Sequence, residues 1–560
     1  MGVMYIDGKR VEFTDEKNVL AVIRKAGIDL PTLCYSSELS TYGACRMCVV
    51  EDKWGKIDAS CSMVPRDGME IKTNSAKLLK HRKMIIELLL SSHDCNCTLC
   101  GKSGSCELQK LAYRYGVRNV RFEDTREQMP IDYSSPAIVR DPNKCILCGD
   151  CVRACDELQG MGILEFVHRG SNMRVQPAFN EPLSNTKCIS CGQCSAVCPT
   201  NAIRIRRNIA DVWRVLFDPT KRVVAQIAPA VRVALGEEFG LTNGENAIGK
   251  IVTALKRLGF DHVTDTTLAA DFTVMEEAHE FLDRLKNGGK FPMFTSCCPA
   301  WVKYCENCDP ELLDHISTCK SPMQMFSPLI KEYYAQKDPS KETVVVAIMP
   351  CTAKKMEAGR EEFMTDGVPD TNYVLTTTEL IQMIIEMGLD FNSLEDFAPG
   401  MPLGLGSGAG VIFGATGGVA ESVIRFCMKE KNYEALEKIE LCGVRGFEDI
   451  KEATLTLDGQ EIKIAVVHGL KDAKKLIKQI RSGERFYHLI EVMSCKGGCV
   501  GGAGQPAGTT ARKKVRAAGL YNADNMTGIK RSEENPMVDY LYKNLVKDHA
   551  HEWFHVHYKH

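Results

Sequence analysis

The sequence predicts a multidomain chain of mixed α+β and α/β character, with small cysteine-bearing modules first and one large α/β domain behind them. Three observations predict this. At 560 residues the chain is too long for a single hydrophobic core. Most of its 26 Cys crowd, at short regular spacings, into roughly the first 200 residues. Beyond that point apolar runs alternate with helical patterns, as in an α/β domain.

Composition narrows the chemistry. A hydrophobic fraction of 44% with 25% charged residues is ordinary for a globular protein, so the cysteine content is the anomaly. Met1-Gly2-Val3-Met4-Tyr5 leads into a hairpin pattern rather than an apolar signal segment, and no apolar run reaches the roughly 18 residues of a membrane span. Cysteines grouped in this way predict metal ligation in a reducing, cytoplasmic compartment rather than disulfides. The formal charge of −2 argues against a nucleic-acid-binding surface, so an electron-carrying partner must dock on a local basic patch.

Residues 1–78 read as a β-grasp module. Two apolar runs flank the turn Asp7-Gly8, a hairpin signal, and a short helix is expected over 19–23, ending near Gly27. Cys34, Cys45, Cys48 and Cys61 follow. Their spacing resembles that of plant-type 2Fe–2S ferredoxins, with a first gap of ten residues instead of four. Four thiolates also suit a structural zinc, but the neighbouring cysteine runs favour iron–sulfur. Residues 79–125 hold an apolar helix at 84–90 and then His93, Cys97, Cys100 and Cys106. By donor type these fit zinc or a 4Fe–4S cube equally. Cys95 is off that spacing and is expected to remain unligated.

Residues 126–208 carry the most specific signal. The runs Cys145-x2-Cys148-x2-Cys151-x3-Cys155 and Cys188-x2-Cys191-x2-Cys194-x3-Cys198-Pro199 are those of a ferredoxin with two 4Fe–4S clusters. In that arrangement each run gives three thiolates to one cube and lends its fourth to the other. Cys145, Cys148, Cys151 and Cys198 would hold one cluster, and Cys188, Cys191, Cys194 and Cys155 the second. Paired clusters imply electron movement. A stretch with strand character is expected at 163–167, and the basic segment 204–207 reads as a solvated boundary.

Residues 209–560 form the expected α/β domain. Apolar runs at 223–227, 291–294, 344–348 and 489–493 enter Ala228-Pro229, Cys297-Cys298, Pro350-Cys351 and Ser494-Cys495 with Cys499 close behind. In open α/β sheets ligands gather beyond the carboxyl ends of strands. Cys298, Cys351, Cys495 and Cys499 would then converge as a four-thiolate site.

Three signatures carry a family resemblance: Thr295-Ser296-Cys297-Cys298-Pro299-Ala300-Trp301, Met349-Pro350-Cys351-Thr352-Ala353-Lys354-Lys355, and Glu491-Val492-Met493-Ser494-Cys495-Lys496-Gly497-Gly498-Cys499. With the accessory runs, the chain resembles the iron-only (FeFe) hydrogenases of the clostridial, monomeric type over essentially its whole length, to Lys559. The resemblance implies reversible reduction of protons to hydrogen at an H-cluster. That cluster is a 4Fe–4S cube on Cys298, Cys351, Cys495 and Cys499, with Cys499 bridging to a di-iron unit that bears CO, cyanide and azadithiolate. One 2Fe–2S and three accessory 4Fe–4S clusters would complete the set. It also implies ferredoxin or flavodoxin as electron carrier and maturation proteins that insert the di-iron unit.

The same resemblance places Cys297 as a thiol proton relay, Lys354 as a cation toward cyanide, and Met493 against the di-iron unit. Contacts to the cofactor would come from Ala228, Pro229, Met349, Pro350, Gln324 and Phe413. The Gly-rich run 406–418 lacks the Lys-Ser/Thr of a phosphate loop and is expected to pack closely around the cluster. A helix is expected over 276–286, with Glu277, Glu280 and Arg284 on one face. On the residues alone that face is a solvated one with an ion pair. The resemblance makes it a proton path, Cys297, Glu277, Ser317, Glu280, Arg284. Ala230 and Met323 stand where some relatives carry polar residues. Cys305, Cys308, Cys319, Cys427 and Cys442 receive no role. The competing readings are a subunit of an NAD-linked complex and an iron–sulfur assembly or sensor protein.

Overall fold

The computed structural model describes residues 1–123, 126–428, 443–457 and 459–558. Cys442 and Lys559, both named above, lie outside them. The chain packs as two compact units. The first comprises 1–157, 161–186 and 194–204, and the second 158–160, 187–193 and 205–560.

The first unit opens as the sequence predicts. Strands β1 (Gly2–Ile6) and β2 (Lys9–Phe13) pair antiparallel through Asp7 and Gly8, both with positive φ, as a two-residue hairpin turn requires. Helix α1 (Val19–Lys25) is capped by the Asn18 side chain, which accepts from the Ala21 N–H. Strands β3 (Val49–Asp52), β4 (Ile57–Ala59) and β5 (Met69–Lys72) complete a five-stranded sheet of order β2-β1-β5-β3-β4. Val19, Leu20, Val22 and Ile23 of α1 pack on Met4, Ile6, Val50 and Ile71 of that sheet. Helix α2 (Ala76–Ser91) starts eight residues before the expected 84, because the Ser75 side chain caps it at Leu78. Only Glu165–Val167 of the predicted 163–167 is strand, paired with Arg174–Gln176.

The second unit contains two four-stranded sheets. One is all parallel, in the order β7 (His262–Asp265), β6 (Lys221–Ile227), β9 (Glu342–Met349), β10 (Tyr373–Thr376). The other runs β8 (Met293–Phe294), β13 (Leu489–Met493), β12 (Gln460–His468), β11 (Ile450–Leu457), with only β11 antiparallel. The central strands β6 and β9 are buried on both faces, hence the apolar runs at 223–225 and 344–349.

Helix α3 (Thr267–Asn287) is longer than the predicted 276–286. Its first eight residues, Thr267 to Val274, are all buried, so no amphipathic period marks them. Among the described residues no helix is long and apolar enough to cross a membrane.

Candidate active site

The carboxyl edges of both sheets feed one cavity of about 80 Å³. From the parallel sheet, Ile227 and Ile348 end in register, and the Ala228 N–H donates to the Ile348 carbonyl at 3.0 Å. This sets Ala228 and Pro229 beside Met349, Pro350 and Cys351. From the other sheet, the Thr295 N–H donates to the Ile490 carbonyl at 3.1 Å, which brings Cys297 and Cys298 beside Met493 and Cys495. Cys298 begins the helix Pro299–Cys308.

A third wall comes from the Gly-rich run. Glu491 on β13 is buried and accepts from the Gly417 and Ala420 N–H groups at 2.7 and 2.9 Å, a carboxylate at the start of helix α4 (Gly418–Cys427). Phe413 and Gly414 thereby face the cavity. Gly414 has no room for a side chain, since a Cβ there would meet Leu520 Cδ1 at 2.7 Å. Gly498 sits at φ +84, and a Cβ would meet the Thr416 nitrogen at 2.6 Å, so the Cys495–Cys499 loop can close against this turn only with glycine.

This wall is clamped from behind. Arg425 on α4 donates to Glu421 at 2.6 Å and to Asp524 of helix α5 (Thr510–Met526) at 2.7 Å, and Arg445 adds a second cation to Glu421 at 2.8 Å. Glu421, Arg425 and Asp524 are all buried. Removing Glu421 leaves Arg425 and Arg445 with Asp524 as their one shared carboxylate among these groups, an excess of buried positive charge, so Glu421→Ala should destabilise the second unit by about 3–5 kcal/mol. Calorimetry would read this as an early transition, and an unshifted one would count against the clamp.

Of the sequence-predicted residues, Cys297, Cys298, Cys351, Cys495, Cys499, Lys354, Met493, Phe413, Ala228, Pro229, Met349 and Pro350 all line the cavity. Gln324 is not among the lining residues. It is buried and accepts from the Thr371 hydroxyl at 3.2 Å. Ala230 and Met323 do line it. Gln193, which spacing could not single out, donates to Cys495 Sγ at 3.3 Å.

The donor set suits an iron cage. Burial raises all four thiols, with neighbouring thiols adding to the effect at Cys351, Cys495 and Cys499, and Cys351 is pushed up to about 11. Among the described residues Lys354 is the one ammonium lining this chamber, so four thiolates there need further cationic charge. Cys297, adjacent in sequence to Cys298, is raised well above its usual range by burial and then by Glu277, which keeps its proton in place.

Lys354 also has partners within the protein: Glu357 accepts from its Nζ at 2.8 Å and the Cys297 carbonyl lies at 3.4 Å. Burial opposes its charge, yet Glu357 and the nearby thiols more than offset that and hold its affinity above the ordinary value.

The acidic face of α3 is a line of groups. Glu277 is fully buried and neither carboxylate oxygen has a hydrogen-bond partner. Burial, then the charge of Glu280, push it up to about 8, tempered by the nearby Ser296 backbone and Ser317. Ser317 donates to Glu280 at 2.8 Å, and Arg284 donates to the other oxygen of Glu280 at 2.5 Å. The solvated-face alternative fails at Glu277.

In the first unit, Cys34, Cys45, Cys48 and Cys61 are all buried. Cys34 and Cys48 are each drawn down to about 6 by a hydrogen bond with Cys45 and Cys61 respectively. Among the described residues no three His, Cys, Asp or Glu side chains are close enough to hold a single metal ion, as a structural zinc would need. His93 has a buried Nδ1 without a hydrogen-bond partner, Cys97 feels the charges of Cys100 and Cys106, and Cys95 is exposed. Cys145, Cys148, Cys151 and Cys198 line one cavity, and Cys155 accepts from the Ile163 N–H. Cys194 also belongs to this unit, and Cys188 and Cys191 to the second. Cys305 and Cys319 are buried, Cys308 is exposed, Cys427 is half-buried, and none forms a disulfide.

A cavity walled by five thiols, in a chain that also carries several cysteine-rich modules, defines an iron–sulfur oxidoreductase. The comparisons identify which. Residues 221–503 match the iron-only hydrogenase large subunit, C-terminal domain, and 510–560 the iron hydrogenase small subunit. Residues 3–76 match a 2Fe-2S cluster-binding domain, 82–121 the NADH-ubiquinone oxidoreductase-G iron-sulfur region, and 144–202 a 4Fe-4S dicluster domain. The chain is 42% identical to NADP-reducing hydrogenase subunit HndD of Solidesulfovibrio fructosivorans, covering 99% of this chain and 98% of that protein. It is 37% identical to iron hydrogenase 1 of Clostridium pasteurianum, with both chains fully covered. A solved structure of FeFe-hydrogenase HydA1 from Chlamydomonas reinhardtii aligns at TM-score 0.54 and 35% identity, over 63% of this chain and 99% of that one. The chain belongs to the iron-only (FeFe) hydrogenases, oxidoreductases that act on hydrogen. The small-subunit match at 510–560 falls inside residues 209–560, expected above as one domain.

Proposed function

We propose that this enzyme carries one 2Fe–2S cluster, three accessory 4Fe–4S clusters and an H-cluster, on the ligands named above. In this reading the domains run 1–78, 79–125, 126–208 and 209–560. Electrons from ferredoxin or flavodoxin cross the accessory clusters to the cavity. The H-cluster, when inserted by maturation proteins, supplies the metal site at which protons and electrons combine. The chain's own residues do the rest. Cys298, Cys351, Cys495 and Cys499 would hold the cube, and Cys499 would also hold the di-iron unit. Phe413, Met493, Pro229 and Met349 exclude water, and Lys354 presents an ammonium to the ligand side. Cys297 gives up and regains its thiol proton, which Glu277 passes through Ser317 to Glu280 and then toward Arg284 at the surface.

One observation carries this reading: four thiols from three distant stretches of chain line one buried chamber with a fifth thiol beside them. Infrared bands of metal-bound CO and cyanide in the matured protein, with dye-linked hydrogen uptake, test it. Matured protein without such bands would refute it.

A second reading concerns only the electron partner. The relative from Solidesulfovibrio is named as a subunit of an NADP-reducing hydrogenase, so the partner here would be a flavin-bearing subunit that passes electrons to nicotinamide. Purification from the native host decides between them. A co-purifying flavin subunit favours the second, and ferredoxin-linked evolution by the isolated chain the first.

A further inference from the structure

The hydrogen bonds around Glu280 do not end at Arg284. The Thr318 N–H and hydroxyl both reach Glu280 Oε2, at 3.0 and 3.2 Å, and the same hydroxyl lies 2.9 Å from His555 Nδ1. The other ring nitrogen of His555 is 3.2 Å from Glu276, which accepts from the Tyr542 hydroxyl at 2.6 Å. A short terminal helix, α6 (Ala550–Phe554), and backbone bonds hold His555 there. The Lys320 N–H donates to the Phe554 carbonyl at 2.7 Å and the Val556 N–H to the Thr318 carbonyl at 2.8 Å. Phe554 is buried against Phe272 of α3, ring centroids 5.1 Å apart.

Thr318 has one hydroxyl proton and two neighbours that can take it. If it points to Glu280, His555 Nδ1 must carry a proton and donate to the hydroxyl, and contact with Glu276 then calls for a proton on Nε2 as well. If it points to His555, the ring holds only its Nε2 proton. The two arrangements differ by one proton on the imidazole, which is what a relay step moves.

We propose that His555 is a second proton-exchange terminus for the hydrogenase reaction, joined to Glu280 through the Thr318 hydroxyl and held by Glu276. This rests on Glu280 belonging to the proton path. In the inward step His555 Nδ1–H gives its proton to Thr318 Oγ1 as that oxygen gives its own to the Glu280 carboxylate. The ring is then reprotonated from solvent, to which its edge is open, and the outward step is the reverse. The groups facing His555 are Glu276 and, through Thr318, Glu280 on α3, Tyr542 through Glu276, and His551 on its own helix, ring centroids 5.8 Å apart. Burial works against the charge of Glu276, but His555 and Tyr542 hold its affinity below the ordinary carboxylate value, so it stays ionised beside the ring.

The test uses holoenzyme with iron content and infrared bands unchanged. Thr318→Val and His555→Phe should each slow hydrogen evolution by on the order of tenfold, and the double variant no further, because both cut one line. Added imidazole should restore part of the rate of His555→Ala, which a packing role would not allow; a loss that imidazole leaves untouched overturns the proposal. Glu280→Gln separates the two readings. If turnover survives it, Glu280 carries no protons and this branch falls with it. If it stops turnover while Thr318→Val, His555→Phe and their double run at the unmodified rate, Glu280 keeps its place and His555 loses its own.

Discussion

Glu277→Gln is expected to yield a protein that takes up its full iron complement and scarcely turns over. The loss should be about three orders of magnitude, within the range for removal of a positioned proton-transfer group. The amide keeps the volume and the polarity of the carboxyl but cannot release and regain a proton. Glu277 suits the task because burial and the charge of Glu280 push it up to about 8, close to a working pH, where proton transfer in either direction costs little. Its value in the folded chain lies above the ordinary 4.5. Between about 4.5 and about 8 the folded protein therefore holds a proton that the unfolded chain has lost, and stability falls as pH rises through that window. A neutral amide escapes this penalty. Glu277→Gln should accordingly melt at the same temperature or higher, most visibly in alkaline buffer. A large drop in melting temperature would mean that the carboxyl is structural instead. Unaltered hydrogen evolution would remove it from the path.

Cys499→Ser carries the second large effect. No measurable turnover is expected, together with less bound iron per chain, because a serine hydroxyl does not ionise near neutral pH and is a poor match for iron in a sulfur cage. Burial raises Cys298, Cys351 and Cys495, and neighbouring thiols raise the last two further, so the three that remain do not readily sustain their charge without the metal. The accessory clusters should keep their visible absorption. Cys305→Ser is the matched control, a buried thiol away from the chamber lining, expected to change neither iron nor rate. If Cys499→Ser retained both, the bridging assignment would be lost.

What could be read from the sequence was whatever is fixed by short spacing or by chain-end chemistry. The ferredoxin runs, the hairpin at Asp7-Gly8 and the apolar strands ending at Cys298, Cys351 and Cys495 fall in this class. The division of those strands between two sheets did not, because an apolar run has no mark of its neighbour: β6 and β9 pair with each other, β8 and β13 with each other. The start of α3 was invisible since Thr267 to Val274 are buried on every side. The partner of Lys354 was three residues away at Glu357, yet a Lys–Glu pair at that spacing is commonplace on helix surfaces and nothing local says that this one is buried. His555 lies 275 residues from Glu280, joined to it only by the tertiary fold. No periodicity could have linked them.

The central claim is that Cys298, Cys351, Cys495 and Cys499 together bind iron in a single chamber. Anomalous diffraction at the iron absorption edge on crystals of the matured protein tests it most directly. Iron peaks are expected inside the chamber within bonding distance of all four Sγ atoms, with further iron on the Cys499 side. Iron confined to the N-terminal modules, or any of the four thiols turned away from the peaks, would contradict it.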